Sequence, residues 1–409
     1  MCDTLVALPH RTHSGNLILG KNSDREPLEA QAILHLPRRF PTEKEVACTF
    51  ISIPQVRETF EVILSKPFQM WGAEMGVNEF GLVIGNEALF TNVKINRKEV
   101  GLTGMDMLRL ALERCKTAPE ALNTLISLLK SHGQNACGGY QNKDFYYHNS
   151  FLIADQDQAY ILETAGKSWA YRQVESLGSI SNGLTIGDDY AEVHWEKEPR
   201  NLQKLFAGKL GNFREYFSDL LYTGAGRSKS RQACTLGFLE KTKNLRVADF
   251  FLALRQHQPE SGFDPKKAST GCICMHATGF TNPSDTTGSM VAEIRKGHHS
   301  TIWLSGTSHP CLSVYVPFYP GTTCDLQHLS PSPKPDESLW WKAKKVHEGI
   351  LKDYQKLHPE FRLRLDDIQS EWIKKDEVLI ENRASLEELS QFSASCLARY
   401  LEFLESYSS

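Results

Sequence analysis

The 409-residue sequence has no window near the ~18 consecutive apolar residues of a membrane-spanning helix, which excludes a helical integral membrane chain. It has no long basic run either: 46 Lys and Arg stand against 49 Asp and Glu, a net charge of −3. Nucleic-acid binding through a phosphate-neutralising face is excluded on that ground. A complete Gly-x-x-x-x-Gly-Lys-Ser/Thr phosphate loop is missing, since Gly15–Lys21 runs on into Asn22, and no dinucleotide fingerprint follows a strand. The start, Met1-Cys2-Asp3-Thr4-Leu5-Val6-Ala7-Leu8-Pro9, lacks the positive charge and long apolar stretch of a secretory signal. Ten cysteines are scattered rather than packed into a small scaffold. They read as reduced thiols, and a cytoplasmic, soluble protein is expected.

The composition is that of a folded protein: 41% hydrophobic, 23% charged and 10% aromatic. Its length allows two to three domains of ~150 residues, or one large domain with an appendage. Thr4–Leu8 and Leu17–Gly20, joined through a turn at His13–Asn16, predict a β-hairpin. Further strands are expected at Cys48–Pro54, near Trp71–Val77 and at Gly81–Asn86. Thr103-x-x-Asp106 and Thr117-x-x-Glu120 carry capping-box spacing ahead of apolar-periodic runs, so two helices follow. Strand alternation resumes at Ser150–Ala154, Gln158–Glu163 and Ser179–Asn182. It returns at Gly271–His276, Ser289–Ile294, His299–Ser305 and Cys311–Val316. Strands, then helices, then strands predict layered sheets rather than a βαβ repeat. Three prolines within Leu329–Pro335 predict a linker over 329–335, with a core domain over 1–328 before it. A helical extension over 336–409 follows, with helices at Leu339–Leu357 and after the Ser385-x-x-Glu388 cap.

Cys2 stands directly behind Met1. Initiator methionine is removed efficiently when the next residue is small, so a mature chain beginning with Cys2 is expected. One residue would then carry both a thiol and a free α-amine, whose reference pKa of ~7.7–8.0 suits a general base. A thiol needs little help to ionise, so nucleophile and base could share a residue. Position 2 alone is better explained as a small buried residue at a chain end.

Context decides between these readings. Cys2–Ala7 with Gly20-Lys21-Asn22-Ser23-Asp24-Arg25-Glu26 resembles the start of secernins and related N-terminal-cysteine dipeptidases. Tyr147–Asp155, Leu162–Lys167, Ile273–Thr278, Thr286–Met290 and Gly306–Leu312 resemble secernin motifs, extending the likeness to about residue 320. The resemblance implies an α+β fold of the N-terminal-nucleophile (Ntn) hydrolase type, a four-layer αββα sandwich of two antiparallel sheets. It also implies cysteine-type dipeptidase or amidohydrolase chemistry on a small peptide or amide substrate.

Physical roles follow for the neighbours. A cation at Lys21 would favour the thiolate, and a carboxylate at Asp24 would orient the α-ammonium. The wider superfamily has arginine where Lys21 stands, and lysine lacks the bidentate fork. Otherwise Lys21 is a solvated turn charge and Asp24 a turn cap. Acyl transfer needs donors aimed at an oxyanion. Asn86 and Asn182 resemble the asparagines at the matching places, though each also suits an ordinary turn. Arg231 resembles the superfamily's late arginine near the nucleophile, or else belongs to the basic surface patch Arg227–Arg231.

Cys272-x-Cys274-x-His276 would put three metal-capable side chains on one strand face, but no second Cys-x-x-Cys supplies a further pair. Buried thiols beside a polar histidine are expected there, with no metal and no cofactor. Trp340-Trp341 reads as helix-to-core packing. Two alternatives stay open: a non-catalytic secernin-like regulator of exocytosis or interaction scaffold, and an acylase for non-peptide amides.

Overall fold

The computed structural model describes residues 1–196, 211–219, 224, 226–259, 261–323 and 327–407. The first half of the chain supplies β1 (Cys2–Ala7), β2 (Leu17–Arg25), β3 (Gln31–Leu36), β4 (Glu45–Ala47), β5 (Ser52–Pro54), β6 (Val62–Pro67), β7 (Met75–Asn78) and β8 (Val83–Leu89). Helices α1 (Gly104–Arg114) and α2 (Ala118–His132) follow. Thr103 and Asp106 close a reciprocal capping box at the start of α1, and Thr117 caps α2 through the Glu120 N–H. Gly133 ends α2 at φ +67°, where a side chain would be strained.

The chain then forms β9 (His148–Ala154), β10 (Ala159–Ala165), β11 (Ser168–Val174), β12 (Leu177–Ile180) and β13 (Glu192–His194). Next come α3 (Phe213–Phe217), α4 (Ser228–Lys241), α5 (Val247–Leu254), β14 (Asp285–Ile294), β15 (Thr301–Leu304) and β16 (Val316–Phe318). One antiparallel sheet has the order β12-β1-β2-β14-β15-β16, and the other β13-β11-β10-β9-β8-β7-β6-β3. The expected strand over Cys48–Pro54 is instead the small β4–β5 hairpin.

The two sheets face each other through β1 on β8, β12 on β9 and β14 on β6. Helices α1 and α2 cover the outer face of the larger sheet, while α4 and α5 cover the outer face of the smaller one. The architecture is therefore an α+β sandwich of four layers, helix–sheet–sheet–helix. Both faces of the central strands are covered, so every residue of β1, β2 and β14 is buried. Their sequences accordingly lack the apolar–polar alternation of a strand with one wet face.

Three helices close the chain: α6 (Leu339–Lys352), α7 (Tyr354–Glu381) and α8 (Leu386–Glu405). The helix expected over Leu339–Leu357 breaks at Asp353, whose backbone (φ −135°, ψ 59°) is not helical. Leu339, Phe361, Leu365, Trp372, Tyr400 and Leu404 share one apolar core with Val291, Ile302 and Val316. Polar ties reinforce this: the Trp340 indole donates to Thr287 O at 2.9 Å, and Lys344 Nζ reaches Asp285 Oδ2 at 2.8 Å. The proline-rich stretch before α6 has no regular structure, but Trp341 Nε1 and Asp336 both bond to Ser332 within it.

Two expected strands are absent. Gly271–His276 is a bent segment in which the N–H groups of Ile273 and Cys274 both donate to Gln256 O rather than to a ladder. Within Cys311–Val316, a short 3-10 turn at Pro310–Leu312 replaces strand until Val316.

Candidate active site around Cys2

The ladder positions the N-terminal end of β1. Cys2 pairs with Ser23 and Thr4 with Lys21 across the β1–β2 ladder, while Thr4 pairs with Ile180 on β12. Cys2 therefore lies between the end of β12, where Ser181 and Asn182 follow, and Asp24 near the end of β2. Its N–H donates to Asn182 Oδ1 at 2.7 Å, and its Sγ accepts from the Asp24 N–H at 3.4 Å. Its carbonyl accepts from Ser181 Oγ at 3.3 Å and from Arg231 Nη1 at 3.1 Å.

Arg231 enters from α4 and is fully buried. Nη1 also contacts Asp3 Oδ2 at 2.6 Å, and Nη2 donates to Asn182 Oδ1 at 2.7 Å. The planar fork thus joins three groups from two separate nitrogens, a geometry the single ammonium of lysine does not reproduce. With two donors on Oδ1, the orientation of the Asn182 amide is fixed. Its Nδ2 donates one hydrogen to Ala88 O at 2.9 Å and retains a second.

Asp24 Oδ1 accepts from Thr286 Oγ1 at 2.6 Å, whereas Oδ2 is buried without a hydrogen-bond partner. Burial pushes this carboxyl up to about 6, against the pull of the terminal ammonium of Met1. That ammonium donates to the Asp24 carbonyl at 3.0 Å. Burial also raises the Cys2 thiol, to about 11, with Lys21 and the terminal ammonium opposing. With Met1 in place, the sulfur is therefore a neutral thiol at physiological pH.

Lys21 is completely buried and pairs with Glu87 Oε1 at 3.0 Å, an oxygen that also accepts from the Thr4 hydroxyl. Burial pulls the ammonium down, but Cys2, Glu87 and Glu74 outweigh it and hold Lys21 above its ordinary range. The solvated turn charge is thus excluded.

Asn86 is not brought to Cys2. On β8, Gly85 and Glu87 face Thr4 and Lys21 between the sheets, so Asn86 points to the opposite face. There its Nδ2 donates to Asn149 Oδ1 at 3.2 Å, beside the start of α1. A Cβ on Gly104 would sit 1.9 Å from that Asn149 oxygen, so only glycine admits the contact. The oxyanion role expected of the Asn86 side chain is corrected accordingly.

Residues 11–163 match the family model of acyl-coenzyme A:6-aminopenicillanic acid acyl-transferase. The match covers well under half of the chain. Among solved structures, the chain is similar to penicillin V acylase from Agrobacterium tumefaciens (13% identity, 80% of this chain and 88% of that one, TM-score 0.42). It is also similar to a mutant conjugated bile acid hydrolase from Clostridium perfringens (14%, 74% and 88%, TM-score 0.43). A third is the Caenorhabditis elegans ortholog of N-acylethanolamine-hydrolyzing acid amidase (11%, 71% and 92%, TM-score 0.37).

Four further residues join the cluster that the sequence reading did not select: Asp3, Ser181, Thr286 and Glu87. The first three lie in or beside quoted motifs, so a search for polar residues in those segments would have found them. Glu87 gives no such signal beyond its alternation with Gly85.

Proposed function

We propose that the chain is an N-terminal-nucleophile amidohydrolase in which Cys2 supplies both thiol and amine, acting as a cysteine-type dipeptidase of the secernin kind. One observation carries this reading. The nitrogen of Cys2 bonds to Asn182, its sulfur bonds to Asp24, and the second Asp24 carboxylate oxygen is buried without a partner. Removal of Met1 would turn that nitrogen into an amine able to use the free acceptor. Cys2, Asp24, Lys21, Asn182 and Arg231 form the working set. Asp24 orients the amine, Lys21 favours the thiolate, and the spare Asn182 hydrogen meets the oxyanion; Arg231 is a positioning residue. Asn86 is left to tie β8 to β9 through Asn149.

In the reaction, the amine takes the thiol proton and the sulfur attacks the scissile carbonyl. The C–N bond breaks as the proton passes to the leaving amine, giving a thioester. Water hydrolyses the thioester and restores the thiol. The αββα core would span 1–328, with 329–335 joining it to the helical extension over 336–409. The described cysteines are free thiols, which supports a cytoplasmic setting.

The test is a dipeptide panel with the processed chain and its Cys2→Ala variant, each verified by intact mass. Hydrolysis abolished by the substitution supports the reading. A processed wild-type chain that hydrolyses neither dipeptides nor N-acyl amides favours the scaffold alternative and ends the proposal.

A further inference from the structure

Away from Cys2, four side chains from three stretches of chain converge near the C-terminal helices. His257 follows α5, Cys274 and His276 lie in the bent segment Gly271–His276, and Cys311 lies in the turn Pro310–Leu312. One ligand atom from each, two nitrogens and two sulfurs, lies within 4.8 Å of all the others. Cys274, His276 and Cys311 are buried and His257 is half-buried. The Nε2 of His276 is 3.1 Å from His257 Nε2, 3.6 Å from Cys274 Sγ and 3.4 Å from Cys311 Sγ.

A neutral imidazole nitrogen offers one proton or one lone pair, so His276 Nε2 cannot satisfy three such partners. A cation at the centre satisfies all four ligands together. Tetrahedral zinc, with bonds of ~2.3 Å to sulfur and ~2.0–2.1 Å to nitrogen, spaces its ligand atoms roughly 3.3 Å (N···N) and 3.6 Å (N···S) apart. The three separations above agree with those spacings to about 0.2 Å. Two thiolates and two neutral imidazoles also balance the ion's charge, which suits a buried site. The two thiol protons leave on binding. His257 stacks on Phe263 at 3.8 Å, and His276 on His309 at 4.6 Å, fixing both rings. The His276 Nδ1 has no hydrogen-bond partner, so stacking orients this ring.

We propose that His257, Cys274, His276 and Cys311 form a structural zinc site. Four protein ligands close the coordination shell, leaving no position for substrate. Met275, between two ligands, holds Thr286 through both backbone groups, at 2.8 and 3.0 Å, and Thr286 in turn holds Asp24. The ion thus braces the segment on which Asp24 depends.

The full chain, purified without chelator, is assayed by inductively coupled plasma mass spectrometry. About one zinc per chain is expected. His257→Asn and Cys311→Ser should lower it at least about fivefold, while Cys272→Ser, whose sulfur contacts Gln258 instead, leaves it unchanged. His257→Asn alters the half-buried edge, and circular dichroism establishes that it is folded. Cobalt alone, added to chelator-stripped wild type, should give sulfur-to-cobalt charge transfer with tetrahedral ligand-field bands. A folded chain that takes up neither metal overturns the proposal. So does recovery of Cys274 and Cys311 as a disulfide, or equal zinc in folded His257→Asn and wild type.

Discussion

Arg231 and Cys2 share one acceptor: both donate to the Oδ1 of Asn182, each at 2.7 Å. The same guanidinium neutralises Asp3, so the start of β1 and the second residue after β12 are held by one side chain. Arg231→Lys cannot span these partners. We expect it to lower dipeptide kcat/KM by about 10²-fold while the chain stays folded. Arg231→Leu strands a buried Asp3 and should cost about 3–5 kcal/mol in urea denaturation.

A blocked amine should silence the chain. An N-terminal tag retained ahead of Met1 is expected to lower hydrolysis by at least about 10²-fold, through loss of the base. Cleaving a tag so that Cys2 becomes the first residue should restore it. Intact mass and initial rates on the three forms check this outcome.

Asp24 gives a pH-dependent trade-off. With Met1 in place its folded value of about 6 lies above the ordinary 3.8, so this folded form binds its proton more tightly than the unfolded one. Ionised Asp24 therefore destabilises the fold, fully above about pH 6, and the cost fades as pH falls toward 4. In the Met1-retaining chain, Asp24→Asn should be more stable at pH 7.5 by up to roughly 3 kcal/mol, a gain that shrinks below pH 6. In the processed chain the same substitution should remove most hydrolytic activity. Denaturation curves at pH 4.5 and 7.5 read the first effect, and the dipeptide panel reads the second.

Deleting 336–409 should not release an intact core. The helices share an apolar cluster with β14, β15 and β16, and Lys344 compensates buried Asp285. Asp285 is held well below the carboxylate range by His309 and Lys344, which outweigh its burial. We expect the truncated chain to aggregate on expression. Recovery of a monodisperse fragment with native near-UV circular dichroism would contradict this.

Much of this arrangement was legible in advance. The hairpin of β1 and β2, the capped α1 and α2, and the strand–helix–strand order follow from periodicity and caps. Cys2, Lys21 and Asp24 meet because β1 and β2 are local partners. Asn86 escaped because both faces of β8 are covered, so nothing in its pattern says which residues point between the sheets. Gly271–His276 imitates a strand by alternating Cys272, Cys274 and His276, yet its N–H groups turn to Gln256. Of the four ligands, spacing rules see only Cys274 and His276, and they add Cys272, which does not join them. Their partners, His257 and Cys311, are distant in sequence and arrive through tertiary packing.

The ladder between β2 and β14 joins residues at least 260 positions apart. At the ribosome's pace of ~5–20 residues per second, roughly 13–50 s separate the synthesis of the two strands. The growing polypeptide therefore emerges with β2 unpaired on its β14 side, and the smaller sheet is completed only once the last third of the chain has been made.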